Sequence, residues 1–185
     1  MLQSLSEIQN YVMQKQPAGL IVDTNILILL LVGTYDQNFI KDCEYFIQNR
    51  KNYTVEDFNL LQKIIASFKG KIIITPQVIA EISSLANKIK GDKGLYYRVI
   101  VEFLKSPNVS ERYQRIDSLW KLDVKVICEF KFTDLTMLQL SKLENIPILT
   151  DEYRFFEHSY SNNVTIIKFE HIKNYRYQEI FNGKN

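Results

Sequence analysis

Gly19-Leu20-Ile21-Val22-Asp23-Thr24-Asn25 is a short aliphatic run that stops at a carboxylate, with a hydroxyl and an amide directly behind it. The run reads as a buried strand, and the acid marks its carboxyl end. A second stretch repeats the arrangement at Ile146-Pro147-Ile148-Leu149-Thr150-Asp151. In an open parallel sheet, ligands bind at the carboxyl ends of the strands, so strand-terminal acids far apart in sequence can meet in one crevice. Glu81 and Asp134 also lie where an apolar segment meets a helix. Convergent carboxylates point to a divalent metal.

Outward from these two runs, strand-like segments alternate with longer stretches of helical period. That alternation argues for an α/β fold built on a central, mostly parallel sheet flanked by helices. Strands are expected near Leu20–Val22, 71–75, 124–128, 146–150 and 164–169. Thr54-Val55-Glu56-Asp57 reads as a helix start, with a hydroxyl cap and acids in the first turn; Thr75-Pro76 starts another with proline at the first helical position. Ser110-Glu111 and Thr133-Asp134 look like two further starts. Leu5, Ile8 and Val12 give an N-terminal helix within about residues 1–18, ended by Pro17 and Gly19. Residues 36–70 read as a helical elaboration between the first two strands, and the aromatic tail near Tyr175 as the end of a last helix.

A chain of 185 residues with 46% hydrophobic content fits a single domain around one core. The longest apolar run, 26–32, falls short of the roughly 20 residues a membrane span needs, and the start Met1-Leu2-Gln3-Ser4 does not resemble a signal peptide, so the cytoplasm is the expected compartment and no membrane is an expected partner. Cys43 and Cys128 lack CxxC spacing, and His158 and His171 both lie late in the chain, which argues against a disulfide framework or a Cys/His zinc site. The net charge of +2, from 23 basic and 21 acidic residues, does not by itself announce a nucleic-acid binder.

Each acid also has a plain structural reading. Asp23 precedes an apolar helix, where aspartate is a common cap; in the functional reading it projects from a strand end while Thr24 and Asn25 orient it. Glu81 borders the packed face made by Val78, Ile79, Ile82 and Leu85, although a lone helical acid is ordinarily solvated. Asp134 sits in the first turn of an amphipathic helix, with Thr133 the better cap candidate, and there the helix dipole favours the ionised form. Thr150-Asp151-Glu152 places two acids together; Asp151 is taken as the main ligand and Glu152 as the second choice. Oxygen ligands of this kind suit Mg²⁺ or Mn²⁺, and a metal-activated water needs no nucleophilic side chain.

At these residues the chain resembles the PIN-domain ribonucleases: Ile21-Val22-Asp23-Thr24-Asn25, then Thr75-Pro76-Gln77-Val78-Ile79-Ala80-Glu81-Ile82, then Thr133-Asp134 opening an apolar helix, then Ile148-Leu149-Thr150-Asp151. Order and local context match over about residues 20–169. The resemblance implies a PIN-like three-layer fold and Mg²⁺ or Mn²⁺ at Asp23, Asp134, Asp151 and Glu152. It also implies that Glu81 completes the catalytic cluster, that Thr24, Asn25 and Thr150 orient it, and that the reaction is hydrolysis of single-stranded or loop RNA. The intervals between Asp23, Glu81 and Asp134 are longer than in the compact toxin members. In many relatives the last acid falls two residues after the Thr, a register that selects Glu152 instead of Asp151.

Residues 88–115 hold seven basic side chains against three acids, interleaved with Tyr96, Tyr97, Phe103 and Tyr113. Lys88, Lys90, Lys93, Arg98, Arg112 and Arg115 are therefore candidate RNA contacts, against the reading of a solvated helical face with aromatic anchors. Beyond an RNA substrate, the family implies an antitoxin or a processing complex as partner, and a homodimer. The rival expectations are a PIN-like RNA-binding or scaffold module without chemistry, and a DNA-directed, flap-type nuclease.

Overall fold

A computed structural model describes residues 2–86, 93–119, 124–155 and 164–182. The chain is α/β, with a five-stranded, wholly parallel sheet flanked by helices. Its strands are β1 (Leu20–Val22), β2 (Ile72–Ile74), β3 (Val109–Glu111), β4 (Ile148–Thr150) and β5 (Ile166–Lys168), in the order β3-β2-β1-β4-β5. Leu20 stands beside Ile72, and Ile21 is matched on its other side by Ile148. The first half of the chain thus builds outward from β1 in one direction, and the second half builds outward in the other. Every residue of β1, β2, β4 and β5 is buried, as parallel strands covered on both faces require.

The helices are α1 (Leu5–Lys15), α2 (Thr24–Tyr35), α3 (Glu44–Gln48), α4 (Val55–Ser67), α5 (Pro76–Ala86), α6 (Lys93–Lys105), α7 (Ile116–Leu119), α8 (Val124–Glu129), α9 (Phe132–Glu144) and α10 (Phe169–Asn182), with a 3-10 turn at Gln37–Ile40. α2 is apolar around its whole circumference, and a helix of that kind has to be enclosed. It packs against α4, α5 and α6, burying Ile26, Leu27, Ile28, Leu29, Leu31 and Val32. The expected start of α4 is present in full: Thr54 Oγ1 accepts the Asp57 N–H, and Asp57 accepts the Thr54 N–H. Among the described residues no helix is long and apolar enough to cross a membrane.

Gly33 faces the Phe58 ring where α2 meets α4, and a Cβ there would fall inside the ring's van der Waals envelope. Phe58 is only 1% exposed, so the ring has nowhere to go. Gly33→Ala should therefore lower stability by about 1–3 kcal/mol despite alanine's better helix propensity. Urea unfolding with an unchanged slope would register that loss as a lower midpoint.

Two expected elements differ. Residues 124–128 are not a strand but most of α8, with Val124 71% exposed. A short run of β-branched residues does not by itself distinguish strand from helix, and of this one Ile127 packs against the core while Val124 is exposed. Ser110-Glu111 does not start a helix but lies in β3, one of the two edge strands, which pairs only with β2 and is half-covered. An edge strand needs no continuous apolar run, so its polar sequence hid it. α9 also begins two residues earlier than expected, with Lys131 rather than Thr133 at the cap position. Lys88, Lys90 and His158 lie outside the described residues, as does the side chain of Lys93 at the start of α6.

Candidate functional site

Because β2 and β4 lie on opposite sides of β1, the chain leaves the sheet centre in two directions, and the carboxyl ends of β1 and β4 flank the resulting crevice. Asp23 stands at the end of β1 in the cap position of α2, yet its side chain makes no capping hydrogen bond. Its Oδ2 instead accepts from Thr150 Oγ1, at the end of β4, at 2.9 Å. The same Thr150 oxygen accepts the Glu152 N–H at 2.9 Å. The hydroxyl proton is thereby committed to Asp23, and one threonine joins the two strand ends.

Glu81 reaches the crevice from α5. Thr24 Oγ1 donates to its Oε2 at 2.8 Å, and Lys131 Nζ lies 3.6 Å from its Oε1. Asp134, in the first turn of α9, accepts the Lys131 N–H at 3.2 Å and is 7% exposed. Glu152 enters from beyond β4, with Arg154 Nε donating to its Oε1 at 2.9 Å. Asn25 lies on the wall, where its Oδ1 accepts from Tyr45 Oη at 2.6 Å. The cleft has a volume of about 240 Å³ and is lined by Asp23, Thr24, Asn25, Tyr45, Asn49, Lys51, Glu81, Lys131, Asp134, Glu152 and Arg154.

Asp151 is not part of this lining. Its Oδ2 accepts from Tyr53 Oη at 2.6 Å and its Oδ1 accepts the Glu170 N–H at 2.9 Å, which ties it to the first turn of α10. Successive side chains leaving a strand point to opposite sides, so Asp151 and Glu152 do not share a direction. Glu152 thus lines the cleft, while Asp151, taken from the sequence as the main ligand, lies outside the lining.

Crowding and burial govern the charge state. Burial is the largest influence on Asp23, raising its pKa to about 7; the Thr150 hydrogen bond opposes the rise, and the charges of Asp134 and Glu81 add to it. Burial likewise pushes Asp134 up, against the Lys131 N–H and ammonium and with the help of Glu152 and Glu81. Asp151 is also raised by burial, with the Tyr53 hydroxyl, the Lys51 charge and the Glu170 N–H holding it back. Mutual influence among Asp23, Glu81, Asp134 and Glu152 is what one acidic cluster would show.

Neither models of protein families nor curated proteins nor solved structures provide a match to this chain. The site therefore stands on its geometry alone.

The basic residues singled out between 88 and 115 do not line the cleft where they are described. Arg98 borders a separate, mainly apolar groove of about 660 Å³ beside Leu31, Ile72 and Phe103. Arg112 contacts Ser110 at 2.9 Å and Glu144 at 3.6 Å, and Arg115 pairs with Asp117 at 2.9 Å. The cations at the acids are Lys51, Lys131 and Arg154. Two of them had a signal in the sequence: Lys131 precedes Asp134 by one helical turn, and Arg154 follows Glu152 by two residues.

The donors offered by Asp23, Glu81, Asp134 and Glu152 are all carboxylate oxygens, the chemistry preferred by Mg²⁺ and Mn²⁺. Burial chiefly, and the repulsion of neighbouring acids in addition, raise Asp23 and Asp134, and a dication offsets both. As the side chains stand, no three His, Cys, Asp or Glu residues among those described are grouped closely enough to hold an ion. Glu81 is turned to Thr24 and Lys131, and Glu152 to Arg154. The donor set fits such a metal, and both glutamates would have to leave their present partners to ligate it.

Proposed function

We propose that this cleft is the active site of a metal-dependent nuclease, an endoribonuclease acting on single-stranded or loop RNA in the manner of the PIN-domain enzymes the sequence resembles. The observation that carries the reading is the meeting of Asp23, Glu81, Asp134 and Glu152, from four separate parts of the chain, at the β1/β4 crevice. Those four residues would hold Mg²⁺ or Mn²⁺. When bound, such an ion activates water and offsets charge on the phosphoryl and leaving oxygens.

The chain's own residues prepare the site. Thr150 fixes the direction of Asp23 and the backbone entering Glu152, so the two acids are set by one hydroxyl. Thr24 keeps Glu81 near the end of β1, a bond that Glu81 would give up when it turns to a metal. Tyr53 and the Glu170 N–H restrain Asp151 and so brace the turn that delivers Glu152. No Ser/His pair is required, because phosphoryl transfer depends chiefly on positioning and electrostatics.

The test is cleavage of labelled single-stranded RNA and its DNA counterpart with Mn²⁺, with Mg²⁺ and with EDTA. Metal-dependent RNA cleavage is the expected result. DNA cleavage in its place would move the enzyme to the flap-type class, and cleavage of neither would favour a module that binds RNA without chemistry. A toxin held by an antitoxin and a subunit of a processing complex are both compatible roles for an endoribonuclease of this kind.

A further inference from the structure

Lys51, Lys131 and Arg154 line the acidic cleft, and all three are more exposed than the two aspartates, Asp23 and Asp134, at its base. Asp23 and Asp134 are 4% and 7% exposed, whereas the side chains of Lys131 and Arg154 are 69% and 47% exposed and Lys51 is half-buried. The cleft thus has an anionic floor and a cationic rim.

The rim groups are held with donors to spare. Arg154 is fixed by two hydrogen bonds, Nε to Glu152 Oε1 at 2.9 Å and Nη1 to the Glu129 carbonyl at 2.6 Å, which still leaves guanidinium N–H groups for another acceptor. Lys131 touches Glu81 only at 3.6 Å, beyond good hydrogen-bond length. Among the described residues the Lys51 ammonium makes no hydrogen bond or ion pair, although its charge reaches Asp151.

A polyanion approaching four carboxylates is repelled unless cations meet it first. Building on the nuclease reading of the same cleft, we propose that Lys51, Lys131 and Arg154 form a phosphate-binding rim that holds a single-stranded nucleic-acid backbone over the carboxylates. They are positioning residues. Arg154 offers a planar fork suited to two phosphate oxygens, and the two lysines act as point charges on neighbouring phosphates. When the backbone arrives, Lys131 and Arg154 exchange carboxylate for phosphate, which also frees Glu81 and Glu152 to turn toward the floor.

The experiment reads RNA binding separately from chemistry. Anisotropy of a labelled single-stranded RNA in EDTA, over a salt series, is measured for wild type, for the Lys51→Met/Lys131→Met/Arg154→Met triple variant, and for a charge-matched control, Lys15→Met/Lys63→Met/Lys142→Met. Each phosphate contact on a single strand adds about 0.7 to the log–log salt slope, so the rim variant should lose about 2 while the control keeps the wild-type slope. Lys51→Met alone should lose about 0.7, and it serves if the triple variant does not fold. A rim variant with the wild-type slope, or a control with an equal loss, overturns the proposal.

In parallel, wild type and Asp23→Asn are assayed for cleavage with Mn²⁺. Loss of slope without any cleavage would retain the rim and reject the nuclease. Cleavage with an unaltered slope and unaltered KM in the rim variant would do the opposite.

Discussion

If the proposed nuclease reading holds, Asp23→Asn should reduce metal-dependent cleavage by about 10³-fold or more, because it would take a charged oxygen donor from the floor of the site while keeping the side chain's shape. The same substitution should make the metal-free protein more stable at pH 8. Burial raises the folded pKa of Asp23 from 3.8 to about 7, so the native state holds this proton more tightly than the unfolded chain does. The native state therefore binds more protons between those values, and wild-type stability falls as pH rises from about 4 to about 7 and is level above that for this group. The shift corresponds to at most about 4 kcal/mol at pH 8, absent in Asp23→Asn, whose amide oxygen still accepts from Thr150. Thermal melts in EDTA at pH 5 and pH 8 would show the mutant's advantage at both, and clearly larger at pH 8, because only the first part of the loss that starts near pH 4 is complete at pH 5. With Mn²⁺ present the order should reverse, since a ligand binding only the native wild type stabilises it alone. A mutant less stable than wild type at both pH values would identify Asp23 as a structural strand-end residue.

Glu152→Gln should cost cleavage about 10²-fold or more, whereas Asp151→Asn should cost less than about tenfold in kcat. The two acids are adjacent in sequence but point to different places. Glu152 lines the cleft with Asp23, Glu81 and Asp134, while both oxygens of Asp151 are occupied by Tyr53 Oη and the Glu170 N–H. An asparagine at 151 can keep its oxygen on the Glu170 N–H and place its amide against the tyrosine oxygen, so the bracing survives in part. Steady-state kinetics on the two variants, with melting curves to establish folding, separates these roles. The reverse ranking would mean that the cleft rearranges around Asp151 when it works.

Much of the architecture was legible because parallel strands covered on both faces announce themselves as unbroken aliphatic runs. Leu20–Val22, Ile72–Ile74, Ile148–Thr150 and Ile166–Lys168 all fall inside runs of that kind. β3 did not announce itself, since Val109-Ser110-Glu111 is only partly covered and can remain polar, unlike β5 at the other edge, which is buried throughout. Val124 misled for the opposite reason: its run has strand-like composition, but it forms a short helix on the surface, where composition carries little weight.

At the site, Asp23, Glu81 and Asp134 were readable because each follows a boundary between an apolar segment and a helix. Choosing between Asp151 and Glu152 required the direction of the chain leaving β4, which depends on Thr150, Tyr53 and the start of α10. Lys51 was not readable at all, since it stands 28 residues beyond Asp23 in the numbering and reaches the cleft only through the packing of the helical elaboration. The local charge excess at 88–115 drew attention instead, yet Arg112 and Arg115 are engaged by Glu144 and Asp117, away from the acids.

The proposed nuclease chemistry depends on a divalent metal held in the β1/β4 crevice by Asp23 and its neighbours. Calorimetric titration of Mn²⁺ into the metal-free protein tests it most directly, using wild type and Asp23→Asn at pH 8 and wild type again at pH 6. Binding should be present in wild type, weaken by about tenfold for each pH unit below 7 as Asp23 takes up its proton, and be lost in the mutant. Wild type that binds no Mn²⁺, or binding that Asp23→Asn leaves unchanged, would contradict the account.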